Sequence, residues 1–366
     1  MSRRVAAFHH PELDSLRFFA FLLVFVHHAI PDRLSAFASL GWLAPWGLAA
    51  VRAGAFGVDL FFCLSAYLIT ELLLREKEKL RQIDVRAFYL RRILRIWPLY
   101  YGALVVAVFI PSPGLPAKYA GAFALLAGNW SVAAWGYPSS WVTPLWSVSI
   151  EEQFYLVWPL VVSRLDERRL KTVAVGLLVT ATLTRLALAA LNVRHPAVWT
   201  DTLARLDPIA IGALIALTLR GESPQLSRST RLGLLGLAPV ALIVVALVFG
   251  LDGWTSLVTY PLVALTSLGL ILATLGGGAA LPMLRLPALQ YLGRISYGLY
   301  VFHRLALDLS RIAVGRGFPY GWLRPFVALA MTMAIAALSY RWLEFPFLRL
   351  KQRFTRVQSR PEPSAP

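Results

Sequence analysis

Apolar runs of roughly 18–22 residues, the length that crosses a bilayer core, alternate with short polar gaps along the whole chain. About ten such runs can be placed, near 13–30, 52–74, 95–111, 145–163, 172–191, 203–219, 232–250, 255–275, 295–310 and 323–343. The pattern predicts an all-α fold, a polytopic membrane helix bundle. An even number of crossings returns both termini to one side. The gap from 111 to 143 differs, with Pro, Gly, Asn, Ser and several Trp, as in "GNWSVAAWGYPSSW". Trp favours the membrane–water interface, so this gap reads as an external loop carrying a shallow or re-entrant helix. Residues 1–350 then form one transmembrane domain. The remainder, 351–366, ends in the polar, proline-rich "TRVQSRPEPSAP" and reads as a disordered cytoplasmic tail.

Composition sharpens this picture. The 366 residues are 58% hydrophobic and only 15% charged, against about 25% charged in soluble chains. Because the apolar runs recur to the end, the first is not a removable signal peptide. The net charge of +17 raises the question of nucleic acid. Its placement answers otherwise. The basic residues gather in "REKEKLRQIDVRAFYLRR", "SRLDERRLK", "RGESPQLSRSTR" and "RLKQRFTRVQSR", at every second gap. By the predicted spans, roughly 25 of the 36 Lys and Arg fall on one side and about 8 on the other, as the positive-inside rule requires. Both termini are therefore expected in the cytoplasm, and no nucleic-acid partner is needed. The single cysteine, Cys63, lies in an apolar run, which excludes a disulfide within the chain and reads as a small buried hydrophobe.

Ionisable groups inside spans are costly and face a cavity or a partner. His28, Asp59, Glu151 with its neighbour Glu152, and His303 stand out. Counted from the basic anchor of each helix, Arg17 to His28 covers about 16 Å and Arg294 to His303 about 14 Å. Glu151 to Arg164 covers about 20 Å and Asp59 to Arg75 about 24 Å. All fall in one layer, from mid-membrane toward the outer face, as a buried polar chamber would. The bland alternatives are specific. Asp59 can complement a helix start, Glu152 can face the outer interface, and His303 can bond a neighbouring helix.

A second feature is "FYLRRILRIWPLYY". Arg91 and Arg92 lie four and three residues before Arg95, so the three share a helix face. Arginine offers a rigid fork of donors that matches phosphate oxygens, where a purely topogenic charge would be served by lysine. A long ligand could anchor phosphates here and send a flexible arm inward toward His28. Acyl-coenzyme A has that shape.

These segments resemble the acyltransferase-3 family of integral-membrane acyltransferases, in order and over most of the chain. "LDSLRFFAFLLVFVHH" resembles its first helix, with a histidine eleven residues after the arginine, here His28. "GVDLFFCLSAYLIT" resembles its second, with Ala66 and Tyr67 where Gly and Phe are usual. Arg92 and Arg95 supply Arg-x-x-Arg, and "WSVSIEEQFYLVWP" resembles the Trp-Ser-Leu-Ser-x-Glu motif. "RLDPIAIGALIA", "ISYGLYVFH" and "YRWLEFPF" also fit, although "FHRLALDL" lacks the proline often found after the histidine. No hydrolase-like domain follows the spans, which suggests a stand-alone transferase.

The resemblance implies transfer of an acyl group, acetyl in many members, from cytoplasmic acyl-CoA to a hydroxyl of a cell-surface glycan or lipid-linked sugar at the bacterial inner membrane. Arg92 and Arg95, with Arg91 and Arg17, would hold the CoA phosphates. His28 would act as general base or as transient acyl carrier, since imidazole can do both. Glu151 and His303 complete the expected catalytic set. Asp59, Glu152, Ser147 and Ser149 belong to the polar layer, the serines as oxyanion donors. No metal is expected. The rival readings are an acyltransferase for a secreted small molecule such as a macrolide, a polytopic transporter, and a lipid or glycan scaffold.

Overall fold

In the computed structural model, residues 10–109, 114–278, 281–313, 321–355 and 357 are described. A helix stands at each of the ten predicted spans. They are α1 (Pro11–Ala29), α2 (Gly57–Leu80), α3 (Val85–Phe109), α4 (Leu145–Arg164) and α5 (Glu167–Ala190). They continue with α6 (Leu206–Leu219), α7 (Arg228–Val248), α8 (Ser256–Thr274), α9 (Ser296–Ala313) and α10 (Arg324–Ser339). Among the described residues there is no strand. The all-helical, polytopic bundle expected from the hydropathy pattern is what the chain forms.

Among the described residues, six helical stretches are long and apolar enough to cross a membrane; they include α2, α3, α5, α7, α8 and α10. The other predicted spans, α1, α4, α6 and α9, fall short because they are shorter or carry charge. They are the helices that hold most of the polar layer. A helix with ionisable groups is tolerated at membrane depth only when other helices surround it. Accordingly α1 and α6 bury most of their residues, whereas α5 and α7 expose rows of Val and Leu such as Val175, Val179, Leu183, Leu237 and Val240.

At the centre α2 packs along α6, with α1 and α4 against α2, α5 and α8 against α6, and α9 between α1 and α10. Small residues permit the closest approaches. Gly212 of α6 lies against the Cys63 carbonyl and the Ala66 methyl of α2, leaving no space for a side chain. Cys63 itself is fully buried in this seam.

The Trp-rich segment after α3 forms two short helices, Ala117–Ala124 and Gly128–Trp135, of 8 residues each. At about 12 Å apiece neither can cross a bilayer core, so this segment stays at one end of the bundle; residues 110–113 of the predicted loop lie outside the described residues. Asn129 anchors it. Its amide donates to the Thr200 carbonyl and to Thr202 at 3.1 and 2.9 Å, and its oxygen accepts from Gln153 of α4 at 2.9 Å. After α10 the backbone passes through a π-turn, Tyr340–Glu344, into a last helix, Phe345–Gln352. Helical structure therefore enters the segment expected to be tail; residues 356 and 358–366 lie outside the described residues.

Candidate active site

Helices α1 and α9 bring two histidines together. His303 Nδ1 lies 2.6 Å from the Tyr300 carbonyl, one turn back on its own helix. A carbonyl only accepts, so Nδ1 carries the proton and a neutral His303 presents a lone pair at Nε2. That atom is 3.2 Å from His28 Nδ1, which also lies 3.0 Å from the Val24 carbonyl. Both contacts require a proton on His28 Nδ1. The neutral His28 ring is thereby held with Nε2 unprotonated and without a partner among the described residues. Such an atom can accept a proton or attack an electrophile.

His28 lines a cavity of about 610 Å³ toward the C-terminal end of α1. Its walls include His27, Tyr137, Trp146, Trp199, Tyr300 and Arg304. Several charges around it are already satisfied. Arg52 donates to Asp32 at 2.7 Å, and Asp252 accepts from the His195 backbone at 3.1 Å. His195, on the connection after α5, is pushed below its ordinary pKa by burial, against the opposing pull of Asp252.

A second, narrower cavity of about 90 Å³ lies toward the opposite end of the bundle. Arg17, Arg92, Arg95 and Glu151 line it, with Ser65, Ser147 and Tyr297. Arg92 stacks near the rings of Phe88 and Tyr155, at 5.6 and 5.7 Å, and its Nε is buried without a hydrogen bond. Glu151 hydrogen-bonds Ser65. The two cavities share two lining residues, Val58 and Tyr300. The Tyr300 hydroxyl meets Ser147 Oγ at 2.7 Å and the Pro144 carbonyl at 3.1 Å. A thin partition of one aliphatic and one phenol side chain thus separates the arginines from His28.

Other expected site residues are placed elsewhere. Arg91 points away from the cavity, donating to Glu76 at 2.7 Å and to the Phe354 carbonyl at 2.8 Å. Glu152 faces α3, where its carboxylate accepts from Trp97 at 2.8 Å. Ser149 donates back to the Leu145 carbonyl and lines neither cavity. Asp59 is fully buried near the start of α2 and pairs with Arg205 at 2.9 Å, a partner that the helix-start alternative did not include. Arg205 lies 3.9 Å from the Trp199 ring centre, and a neighbouring pair joins Arg185 to Asp207. The sequence offered one signal for these cations, the "RLDP" at the start of α6, but not their partners. Nothing in the hydropathy pattern singled out Glu344, buried in the π-turn with neither carboxylate oxygen hydrogen-bonded. Among the described residues no cluster of three His, Cys, Asp or Glu could hold a metal.

A family model for an acyltransferase domain matches residues 10–341. The chain belongs to the acyltransferase-3 family. It is 28% identical over 92% of its length to the peptidoglycan O-acetyltransferase OatA of Listeria monocytogenes, covering 55% of that protein. It is 26% identical, over the same share, to the O-acetyltransferase OatA of Staphylococcus aureus, covering 57% of it. The chain thus spans a little over half the length of the curated relatives it matches. No solved structure matches it. Family membership gives the chain an acyltransferase domain, carried on a bundle of apolar helices.

Proposed function

We propose that this O-acyltransferase moves an acyl group, acetyl in the simplest case, from cytoplasmic acyl-CoA to a hydroxyl of a cell-surface glycan or lipid-linked sugar. The observation that carries the reading is the pair of cavities, arginine-lined and histidine-lined, that meet at Val58 and Tyr300. Arg92 and Arg95, with Arg17, bind the phosphates of CoA, since guanidinium groups pair well with phosphate oxygens. In this reading the protein lies in a bacterial inner membrane, and the distribution of basic residues supports a cytoplasmic side for this cavity and for both termini. The pantetheine arm then reaches the partition and presents the thioester to His28.

There His28 Nε2 takes the proton from the acceptor hydroxyl as its oxygen bonds to the thioester carbonyl carbon. The tetrahedral intermediate expels the CoA thiolate, which recovers the proton from the imidazolium. His303 fixes the tautomer and stabilises the charged ring, as a third group does in other base-activated transfers. Ser147 and Tyr300 stand where hydroxyl donors can meet an oxyanion, and Glu151 helps to keep the arginines in register. Peptidoglycan, named for the Listeria relative, is one candidate acceptor.

The test is transfer by purified protein in detergent, with acetyl-CoA titrated into wild type, Arg92→Ala and His28→Ala. The arginine change should weaken donor binding roughly tenfold or more, the loss expected for a hydrogen bond to a charged group. His28→Ala should bind donor and release no CoA when a sugar acceptor is added. Absence of acetyl-CoA binding by wild type would turn the reading toward a transporter.

A further inference from the structure

Among the described residues, Arg304 is the one arginine of the histidine-lined cavity with no hydrogen bond or ion pair, and Asp308, one turn further along α9, attracts it only at longer range. It lies on α9 one turn beyond Tyr300, and residues four apart share a helix face, so both side chains line the same cavity. Arg52 is committed to Asp32, and Asp252 receives the His195 backbone. The nearest carboxylate on α9, Asp308, pairs with Arg311 at 3.3 Å. No ion pair or hydrogen bond engages the Arg304 guanidinium among the described residues. The cavity wall also carries Trp146, Trp199 and Tyr137, flat faces on which a sugar ring can stack.

We infer that Arg304 selects an anionic acceptor, by pairing with a carboxylate or phosphate borne on the sugar that receives the acyl group. The inference rests on the acyl-transfer reading for the identity of the ligand as acceptor. A guanidinium half-buried in an aromatic cavity can donate to the hydroxyls of a neutral ring, but it gains more from an anion, whose charge-assisted bonds are stronger. His28 and Arg304 line the same cavity, so an anion held at Arg304 belongs to the same ligand as the hydroxyl at His28.

The experiment measures binding directly, by calorimetry on the purified full chain without donor. The probes are methyl glucuronide, its neutral carboxamide and glucose 6-phosphate. Wild type is expected to bind an anionic probe at least tenfold more tightly than the carboxamide, the glucuronide and the phosphate telling the two sources of charge apart. Arg304→Gln should bring that ratio near one, Arg304→Lys should keep most of it, and Arg304→Glu should reverse it in favour of the carboxamide. Equal binding of charged and neutral probes by wild type, or an unchanged ratio in Arg304→Gln, overturns the inference. Acetyl transfer to the same sugars is followed in parallel. If charge discrimination is present but no transfer occurs with any sugar, the enzymatic reading falls while the anion subsite stands.

Discussion

His303 Nε2 and His28 Nδ1 face each other at 3.2 Å across the contact between α1 and α9. Two fixed carbonyls, of Tyr300 and Val24, set both tautomers from either end of this pair. His303 is thus a positioning residue whose loss should be felt in turnover rather than in donor binding. His28→Ala is expected to lower kcat by roughly 10²–10⁴, the range for a lost general base. His303→Leu should lose less than that, with the acetyl-CoA KM unchanged, and His303→Gln should recover part of it because an amide oxygen can accept from His28. Steady-state kinetics on the three variants decide the matter. Equal rates in the leucine and glutamine variants would remove the orienting role.

Neighbouring arginines should behave in opposite ways. Arg92 lines the narrow cavity, and Arg91 is buried against Glu76. Removing one member of a buried ion pair costs about 3–5 kcal/mol because the other charge is left uncompensated. Arg91→Ala should therefore lower the thermal midpoint sharply, and the fraction that remains folded should bind acetyl-CoA as wild type does. Arg92→Ala should weaken binding and leave the midpoint nearly unchanged. Melting curves with and without donor separate the two.

Much of this was legible in the chain, and the exceptions share a cause. Each helix buries an apolar run of fixed length, so the ten helices could be placed from hydropathy alone, including those too polar to be called spans by composition. His28, His303, Glu151, Arg92 and Arg95 were visible as polar or charged residues at the wrong depth or in an unusual cluster, and Arg17 entered only through the family resemblance. What the pattern did not resolve was choice between adjacent residues. Arg91 and Arg92, or Glu151 and Glu152, differ by about 100° around a helix, and only the packing of distant segments decides which one enters the cavity. Phe354 lies 263 residues from Arg91, and no local rule connects them. The same holds for Asp59, whose partner Arg205 comes from the far side of the sequence.

That buried pair gives a prediction about stability alone. Asp59 and Arg205 are enclosed by Trp199, Tyr260 and Phe62 and line neither the arginine cavity nor the histidine cavity. Arg205→Met should destabilise the protein by about 3–5 kcal/mol, since Asp59 would remain as an unpaired buried carboxylate. Adding Asp59→Leu should restore most of the loss, because an apolar pair of similar volume costs little there. Chemical denaturation of single and double variants in the same detergent checks this. A double variant no more stable than Arg205→Met would mean that the pair does more than satisfy itself.

The partition between the cavities should govern passage of the thioester. Val58 and Tyr300 are the two side chains that line both cavities, and the Tyr300 hydroxyl is tied to Ser147 and to the Pro144 carbonyl. Those bonds hold the ring in place and the same hydroxyl is the proposed oxyanion donor, so Tyr300→Phe should keep the bulk of the partition but lower kcat by roughly 10²–10³. A larger side chain on the aliphatic side acts differently. Val58→Trp should block the connection, leaving the arginines able to bind acetyl-CoA with affinity near wild type while transfer falls by at least about a hundredfold. Calorimetry with acetyl-CoA, set beside CoA release with a sugar acceptor, reads both quantities on one preparation. If Val58→Trp transfers acetyl groups at the wild-type rate, donor and acceptor do not meet across this wall, and the thioester must reach His28 by another route.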